Sequence, residues 1–468
     1  MQVSASSRAT SNANSRARAI TVAGLALFAM FFGAGNLIFP VMLGTEAGTN
    51  VFPALAGFLG TGVLLPVLAI IAASSSKDGT PREVAERIGK IPGTVLLFAM
   101  FLTTGMFYAV PRVSAVSYEM AIAPLVPGAD SGGGIGLAIY SFVFFTVVYL
   151  LVSRPSRVVE RVGGYLTPAL LILMAILVIT VVIKLPPAGN PPAPKYVDSP
   201  VSTGLLQGYF TMDAIAGFVF GLIIVTNLRN TGFATQRSSF RATSAASLVA
   251  GVFLAVVYIG LAMIGTRVAG DGYANGAEAL SGVAQQFYGT GGQVLFGAIA
   301  ILACLTTATG LLTSSTAFFR SYFPSISYNT MLVGQLLIAF GFSNMGLEAI
   351  LNLIEPVNQL VYPVVITLVV TTLVDILIPG RLYWTYRISA WVAAFVSLFE
   401  ALWATKLEIF AGLRPLLDAM PLGTNHLPFA VPAVIAFVCG FAIDIAQGRL
   451  RHALAQPNLS GNTGGTAK

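Results

Sequence analysis

Three short stretches carry residues for which an otherwise apolar chain has no packing need. The first, FFGAGNLIFP at residues 31–40, sets Gly33 and Gly35 on either side of Ala34, then adds Asn36 and Pro40. In the second, GLLQGYFTMDAIAGFVFGLIIVTN, a single acid, Asp213, stands among Gly204, Gly208, Gly217 and Gly221. The third, CLTTATG, supplies hydroxyls at Thr306, Thr307 and Thr309. Glycine loosens a helix, and a backbone released from helical pairing offers amides and carbonyls as ligands. The carboxamide, the carboxylate and the hydroxyls widen that set. Catalysis is poorly served: the apolar runs hold no histidine, and no paired carboxylates stand near a nucleophile. The spacing of Cys304, Cys439, His426 and His452 suits no metal ion, and two inert thiols are expected rather than a disulfide. GAGNLI also lacks the third glycine of a dinucleotide loop and the Gly-Lys-Ser/Thr of a phosphate loop. What remains is the chemistry of binding.

The elements that must position these groups are membrane helices. Of 468 residues 56% are hydrophobic and 9% charged, and the mean hydropathy is +0.83. That composition cannot cover a soluble globule and predicts an all-α integral membrane protein. The net charge of +7 is scattered in ones to fours between apolar runs, which argues against nucleic acid. At about 20 residues per crossing, the chain divides into twelve runs near 19–43, 51–73, 93–114, 136–153, 163–184, 203–227, 244–266, 292–318, 328–345, 356–379, 387–405 and 428–446. With a cytoplasmic N-terminus, all of the 25 Lys and Arg except Arg112, Lys184, Lys195, Arg267, Lys406 and Arg414 fall on the cytoplasmic side. Positive charge concentrates in cytoplasmic loops, so this supports twelve helices with both termini inside.

Residues 1–18 are polar, Ser-rich and basic and are expected to be a disordered cytoplasmic segment, with no removable signal peptide. The repeats that follow span 19–184 and 203–379, joined by a Pro-rich external loop at 185–202. Helices 11 and 12 occupy 380–446, and 447–468 is expected to be a disordered cytoplasmic tail.

Within hydrocarbon a helix unwinds only where protein or a water-filled cavity receives the freed groups. Gly33, Gly35 and Pro40 predict that helix 1 is two half-helices, with Asn36 able to cap the second. Close helix packing is the ordinary use of such glycines, but Asp213 marks a second interruption, in helix 6. Five helices separate the two breaks in register, and because five is odd the two elements run oppositely. That is an inverted repeat of five plus five helices. Half-helix N-termini there attract an anionic group, and freed carbonyls can hold a cation.

FFGAGNLIFP, GMFYAVPRVSAVSYE, GYFTMDAIAGFVFG and LACLTTATGLLTSS resemble, in order and position, the branched-chain amino acid:cation symporter family, the system II carriers for leucine, isoleucine and valine. Val41 departs from it where many members carry a second proline. The resemblance implies a LeuT-like core, sodium-coupled uptake of branched-chain amino acids and a bacterial cytoplasmic membrane. It also implies sodium as coupling ion with no other cofactor. By this likeness Asn36 helps hold sodium or the substrate carboxylate, and backbone groups from Ala29 to Gly35, Phe32 among them, supply carbonyls and amides. Thr306 and Thr307 would complete a sodium site, although each hydroxyl can also bond back to its own helix. Asp213 either contributes to the ammonium environment or caps the second half of helix 6. Phe107, Tyr108, Tyr209 and Phe210 are candidate walls of an apolar pocket, with ordinary packing as the alternative. Arg112 and Glu119, seven apart, form either an outer gate or a structural ion pair.

Two rival functions fit the same residues. A channel also uses broken helices, and a proton-coupled permease would titrate Asp213, Asp375 or Glu400 in place of binding sodium.

Overall fold

The computed structural model describes residues 2–76, 80–125, 134–273, 275–345, 347–378, 381–410 and 412–450. Among these residues the protein is helical throughout, with no strand. The helices are α1 (Gln2–Phe31), α2 (Ala34–Ala47), α3 (Val51–Leu59), α4 (Leu65–Ser74), α5 (Pro81–Glu86), α6 (Lys90–Leu102) and α7 (Ala109–Ala121). There follow α8 (Ile135–Val152), α9 (Val158–Arg161), α10 (Thr167–Lys184), α11 (Pro200–Tyr209), α12 (Asp213–Asn230) and α13 (Gln236–Gly265). The last are α14 (Gly276–Tyr288), α15 (Thr290–Tyr322), α16 (Tyr328–Ser343), α17 (Leu347–Leu377), α18 (Trp384–Ala404), α19 (Leu413–Asp418) and α20 (Ala430–Ala446).

Among the described residues nine helical elements are long and apolar enough to cross a membrane, and α20 is a shorter apolar helix. The chain is therefore a multi-pass membrane protein. Several elements are stitched from two helices by a π-turn. Gly60–Leu64 joins α3 to α4, and Val162–Leu166 joins α9 to α10. Pro66 and Pro168 each lie two residues beyond the turn. Proline has no N–H for the ordinary ladder, and the wider turn absorbs the mismatch.

Burial sorts the elements into core and rim. Within its most apolar stretch α15 is 72% buried, whereas α10 is 28% buried. The outer face of α10 shows Ile172, Ile176 and Ile179, and that of α8 shows Ile139, Phe142 and Val143. An apolar exterior of this kind is solvated by lipid. Inside, small residues let helices approach: a Cβ on Gly44 of α2 would overlap the backbone of Ala262 on α13, and one on Gly265 would overlap that of Val41.

The Pro-rich segment after α10 has little regular structure beyond a short 3-10 turn at Pro194–Tyr196. It closes over helix ends. Ala193 N–H donates to Glu46 O at 2.7 Å and Ala188 N–H to Thr266 O at 2.9 Å, and Lys195 pairs with Glu46 at 2.8 Å. At the far end of the chain, α18 packs on α17 and α20. Asp444 of α20 is fully buried and accepts from the N–H groups of Tyr383, Trp384 and Thr385 at 3.0–3.1 Å. One helix thus caps another.

The helix α1 begins at Gln2 and runs without interruption into the first apolar run. The helix α14, between runs seven and eight, was not foreseen. Its signal was present: Asn275 accepts from the N–H groups of Ala277 and Glu278, and Ala279, Leu280, Val283 and Ala284 form a buried stripe. Of the expected C-terminal tail, residues 451–468 lie outside the described residues.

Candidate substrate and ion site

Helix α1 ends at Phe31, and α2 begins at Ala34 after two residues outside the helix. Gly33 is extended (φ −98°, ψ −172°) and stands at the head of α2 without a side-chain cap. The second interruption runs from Phe210 to Met212, between α11 and α12. Met212 takes a left-handed conformation at φ 58°, an uncommon one for a residue that carries a Cβ. The Thr211 hydroxyl satisfies Gly208 O at 2.8 Å as the helix ends.

One side chain ties the two breaks together. Asn36 Nδ2 donates to Asp213 Oδ2 at 2.8 Å and to the Tyr258 hydroxyl at 2.5 Å. All three residues are buried. The carboxamide therefore links α2, α12 and α13, and caps nothing. Asp213 is the first residue of α12. Its carboxylate accepts from the other broken helix through Asn36.

Around this link lies a cavity with about 100 Å³ open to water-sized molecules. Its polar wall includes Gly33, Ala34, Gly35, Asn36, Asp213 and Arg112, and its apolar wall includes Phe31, Val113, Val116, Ile215 and Leu311. The starts of α2 and α12 both open on it, so two positive helix ends meet one space. Arg112 Nη1 donates to the Tyr108 hydroxyl at 3.0 Å. The other terminal nitrogen of Arg112 lies 3.3 Å from where a Cβ on Gly35 would stand, so glycine there admits the guanidinium to the break.

Behind the break stands α15. The Thr306 hydroxyl donates to Ala29 O at 2.7 Å and also reaches Leu302 O and Ala303 O in its own helix. Gly33 N–H, which would pair with Ala29 O in a continuous helix, goes to Phe31 O. The Thr307 hydroxyl is buried without a hydrogen-bond partner among the described residues. It lies 3.2 Å from where a Cβ on Gly33 would stand.

The match with known proteins is extensive. Residues 16–447 fit the family described as branched-chain amino acid transport protein. The chain belongs to that family. It is 41% identical over 427 residues to the branched-chain amino acid permease BrnQ of Corynebacterium glutamicum, covering 91% of this chain and 95% of that protein. With BrnQ of Escherichia coli K12 it shares 36% over 442 residues, covering 93% and 97%. The branched-chain amino acid transport system 2 carrier protein of Pseudomonas aeruginosa is 36% identical over 444 residues, covering 92% and 97%. Members of this family are transporters, not enzymes.

The remaining candidate residues of this transporter fall in different places. Tyr108 lines the cavity, whereas Phe107 packs against Phe342 at 5.2 Å. Tyr209 sits on Tyr362 at 4.8 Å, and Phe210 lies edge-on to His426 at 6.4 Å. None of these last three lines the space. Arg112 and Glu119 make no ion pair among the described residues. Seven residues of helix separate their Cα atoms by about 10 Å along the axis, and Arg112 turns toward the cavity. Cys304 and Cys439 are both free, as expected. Tyr258, Thr211 and Asn358, also at the site, escaped the sequence reading. An asparagine inside an apolar run was the available signal for Asn358.

Proposed function

We propose that the protein is a sodium-coupled symporter that imports leucine, isoleucine and valine across a bacterial cytoplasmic membrane by alternating access. Its twelve helices comprise two inverted five-helix repeats and two additional helices, with both termini in the cytoplasm. The observation that carries the reading is the Asn36–Asp213 bond, which joins two interrupted helices across a cavity having both polar and apolar walls. In this reading the substrate carboxylate meets the first amides of α2 and Arg112. The ammonium group faces Asp213 and the carbonyls freed at the ends of α1 and α11, and the branched side chain lies along Phe31, Val116, Ile215 and Leu311. Sodium binds among the carbonyls of Ala29 and Phe32 and the hydroxyls of Thr306 and Thr307. The buried, unpartnered Thr307 hydroxyl supports an ion there, because such a group is otherwise costly.

Proton coupling is the second reading, and one observation favours it. Asp213 is buried and has no ion-pair partner among the described residues, which makes its charge expensive within a bilayer. Of the other two acids, Asp375 is bound to Arg87 at 2.5 Å, and Glu400 is buried on α18.

Uptake of labelled leucine into proteoliposomes, driven in turn by sodium, potassium and proton gradients, separates the readings. Sodium alone should drive concentrative uptake, and Asn36→Ala should abolish it. Full uptake on a proton gradient without sodium would overturn the sodium site.

A further inference from the structure

At the N-terminal end of α13, outside the cavity at the helix breaks, three arginines line one groove. Arg16 of α1, Arg237 and Arg241 of α13, together with Thr235 and Ser238, surround about 360 Å³ of open space floored by Ile20 and Phe233. All three arginines are exposed, and none forms an ion pair among the described residues. Arg16 is held over the Phe233 ring at 5.6 Å. The α13 N-terminus opens nearby, adding its positive end to the arginine charge. The sequence flanking this region offers no counter-charge: residues 1–18 and 451–468 contain no Asp or Glu. The chain's own tails therefore do not neutralise it.

The groove continues into an apolar track. Leu248, Val252, Val256 and Ile259 are exposed along α13. Eighteen residues separate Arg241 from Ile259, which is five turns at 3.6 residues per turn, so both lie on one side of the helix. Leu248 begins about 10 Å below Arg241 and Ile259 lies about 27 Å below it, so the track is about 17 Å long, close to one leaflet's half of the bilayer's roughly 30 Å hydrocarbon thickness. A soluble anion would use the arginines alone. A phospholipid uses both parts.

We propose that this groove binds the phosphate headgroup of an anionic membrane phospholipid, whose acyl chains lie along the exposed face of α13. By joining Arg16 to Arg237 and Arg241, the lipid clamps α1 to α13. Because α1 is severed from α2 at Phe32–Gly33 and carries Phe31 of the cavity wall, this clamp restrains the tilt of α1 relative to α2. The lipid site stands apart from the choice of substrate or coupling ion.

The test uses the full chain in nanodiscs of phosphatidylcholine containing a minor fraction of phosphatidylglycerol, with retained lipid counted by native mass spectrometry after extraction into detergent. The wild type should retain phosphatidylglycerol selectively, and R16Q/R237Q/R241Q should retain about tenfold less. R16K/R237K/R241K, which keeps the charge, should recover most of the retention and controls for folding. R154Q/R157Q, neutralised in a different basic segment, should behave as wild type. Equal retention by the glutamine variant, or equal retention of phosphatidylcholine by the wild type, would overturn the site. Tighter binding of inorganic phosphate to the lipid-free protein than of phosphatidylglycerol, with both lost in the glutamine variant, would also overturn it, since it would make the groove an ion site.

Discussion

Thr306 and Thr307 are adjacent in sequence and opposite in circumstance. The Thr306 hydroxyl already has three carbonyls within reach, Ala29 O nearest at 2.7 Å, whereas that of Thr307 is buried with none. Loss of the first should cost about 1 kcal/mol of stability, and loss of the second should cost nothing or stabilise slightly, because it removes an unsatisfied group. If both ligate sodium, Thr306→Ala and Thr307→Ala should each raise the sodium concentration for half-maximal uptake by about tenfold, the equivalent of one lost ligand of about 1.4 kcal/mol. Thermal unfolding of purified protein and sodium titration of uptake provide the two readouts. A normal sodium dependence in Thr307→Ala would remove it from the ion site. Asn36 was legible from its place after a glycine pair. Its partner Tyr258 was not, because 222 residues of sequence separate them and the tyrosine stands in a run of ordinary helix formers.

Among elements, the contact of α2 with α13 rests on absent side chains. Gly44→Val should force the helices apart and lower the thermal midpoint, with a cost of about 1–3 kcal/mol for overpacking. Gly334→Ala, inside α16 where a Cβ would meet nothing within 4 Å, should keep the midpoint or raise it slightly, by up to about 1 kcal/mol of helix preference. A drop for Gly334→Ala equal to that for Gly44→Val would show that the close approach is not the cause. The acid linking α20 to α18 makes a second test. Asp444 accepts from three backbone N–H groups and from the Thr385 hydroxyl at 2.7 Å. Asp444→Asn replaces a charged acceptor by a neutral one and should destabilise by about 1.5–3 kcal/mol. The folded fraction should keep the wild-type KM for leucine, since this junction lies outside the residues that line the cavity; a shifted KM would give α18 and α20 a part in binding. Helix breaks were readable because glycine, proline and acid punctuate apolar runs. The short amphipathic α14 hid because its polar face resembles a loop.

At the scale of the molecule, the driving force and the pocket set what transport can achieve. If sodium is the coupling ion, one ion entering at 100 mV provides about 2.3 kcal/mol, and a tenfold gradient adds about 1.4 kcal/mol. Together they sustain a several-hundred-fold gradient of a zwitterion. Discrimination is weaker, because one methylene in an apolar pocket changes binding by only about 1–3 kcal/mol. Leucine, isoleucine and valine should therefore compete for one site, each inhibiting uptake of the others with constants within about 200-fold. Independent, non-competing uptake of valine would require a second site.

The sequence by itself determined the solvent, the helical class and the positions of both breaks. These follow from local rules: hydrocarbon forces backbone pairing within each segment, and glycine, proline and a lone acid interrupt it. The order of motifs carried the family likeness as well. Tertiary structure decided which interruption meets which residue. It turned Asn36 from a helix cap into the bond that joins the breaks, drew Arg112 toward Gly35 and away from Glu119, and seated Phe107, Tyr209 and Phe210 in packing outside the cavity. The physical reason is range. Periodicity and propensity act over a few residues, whereas these contacts join helices more than a hundred residues apart, or depend on a kink such as that at Gly105 that redirects every side chain beyond it.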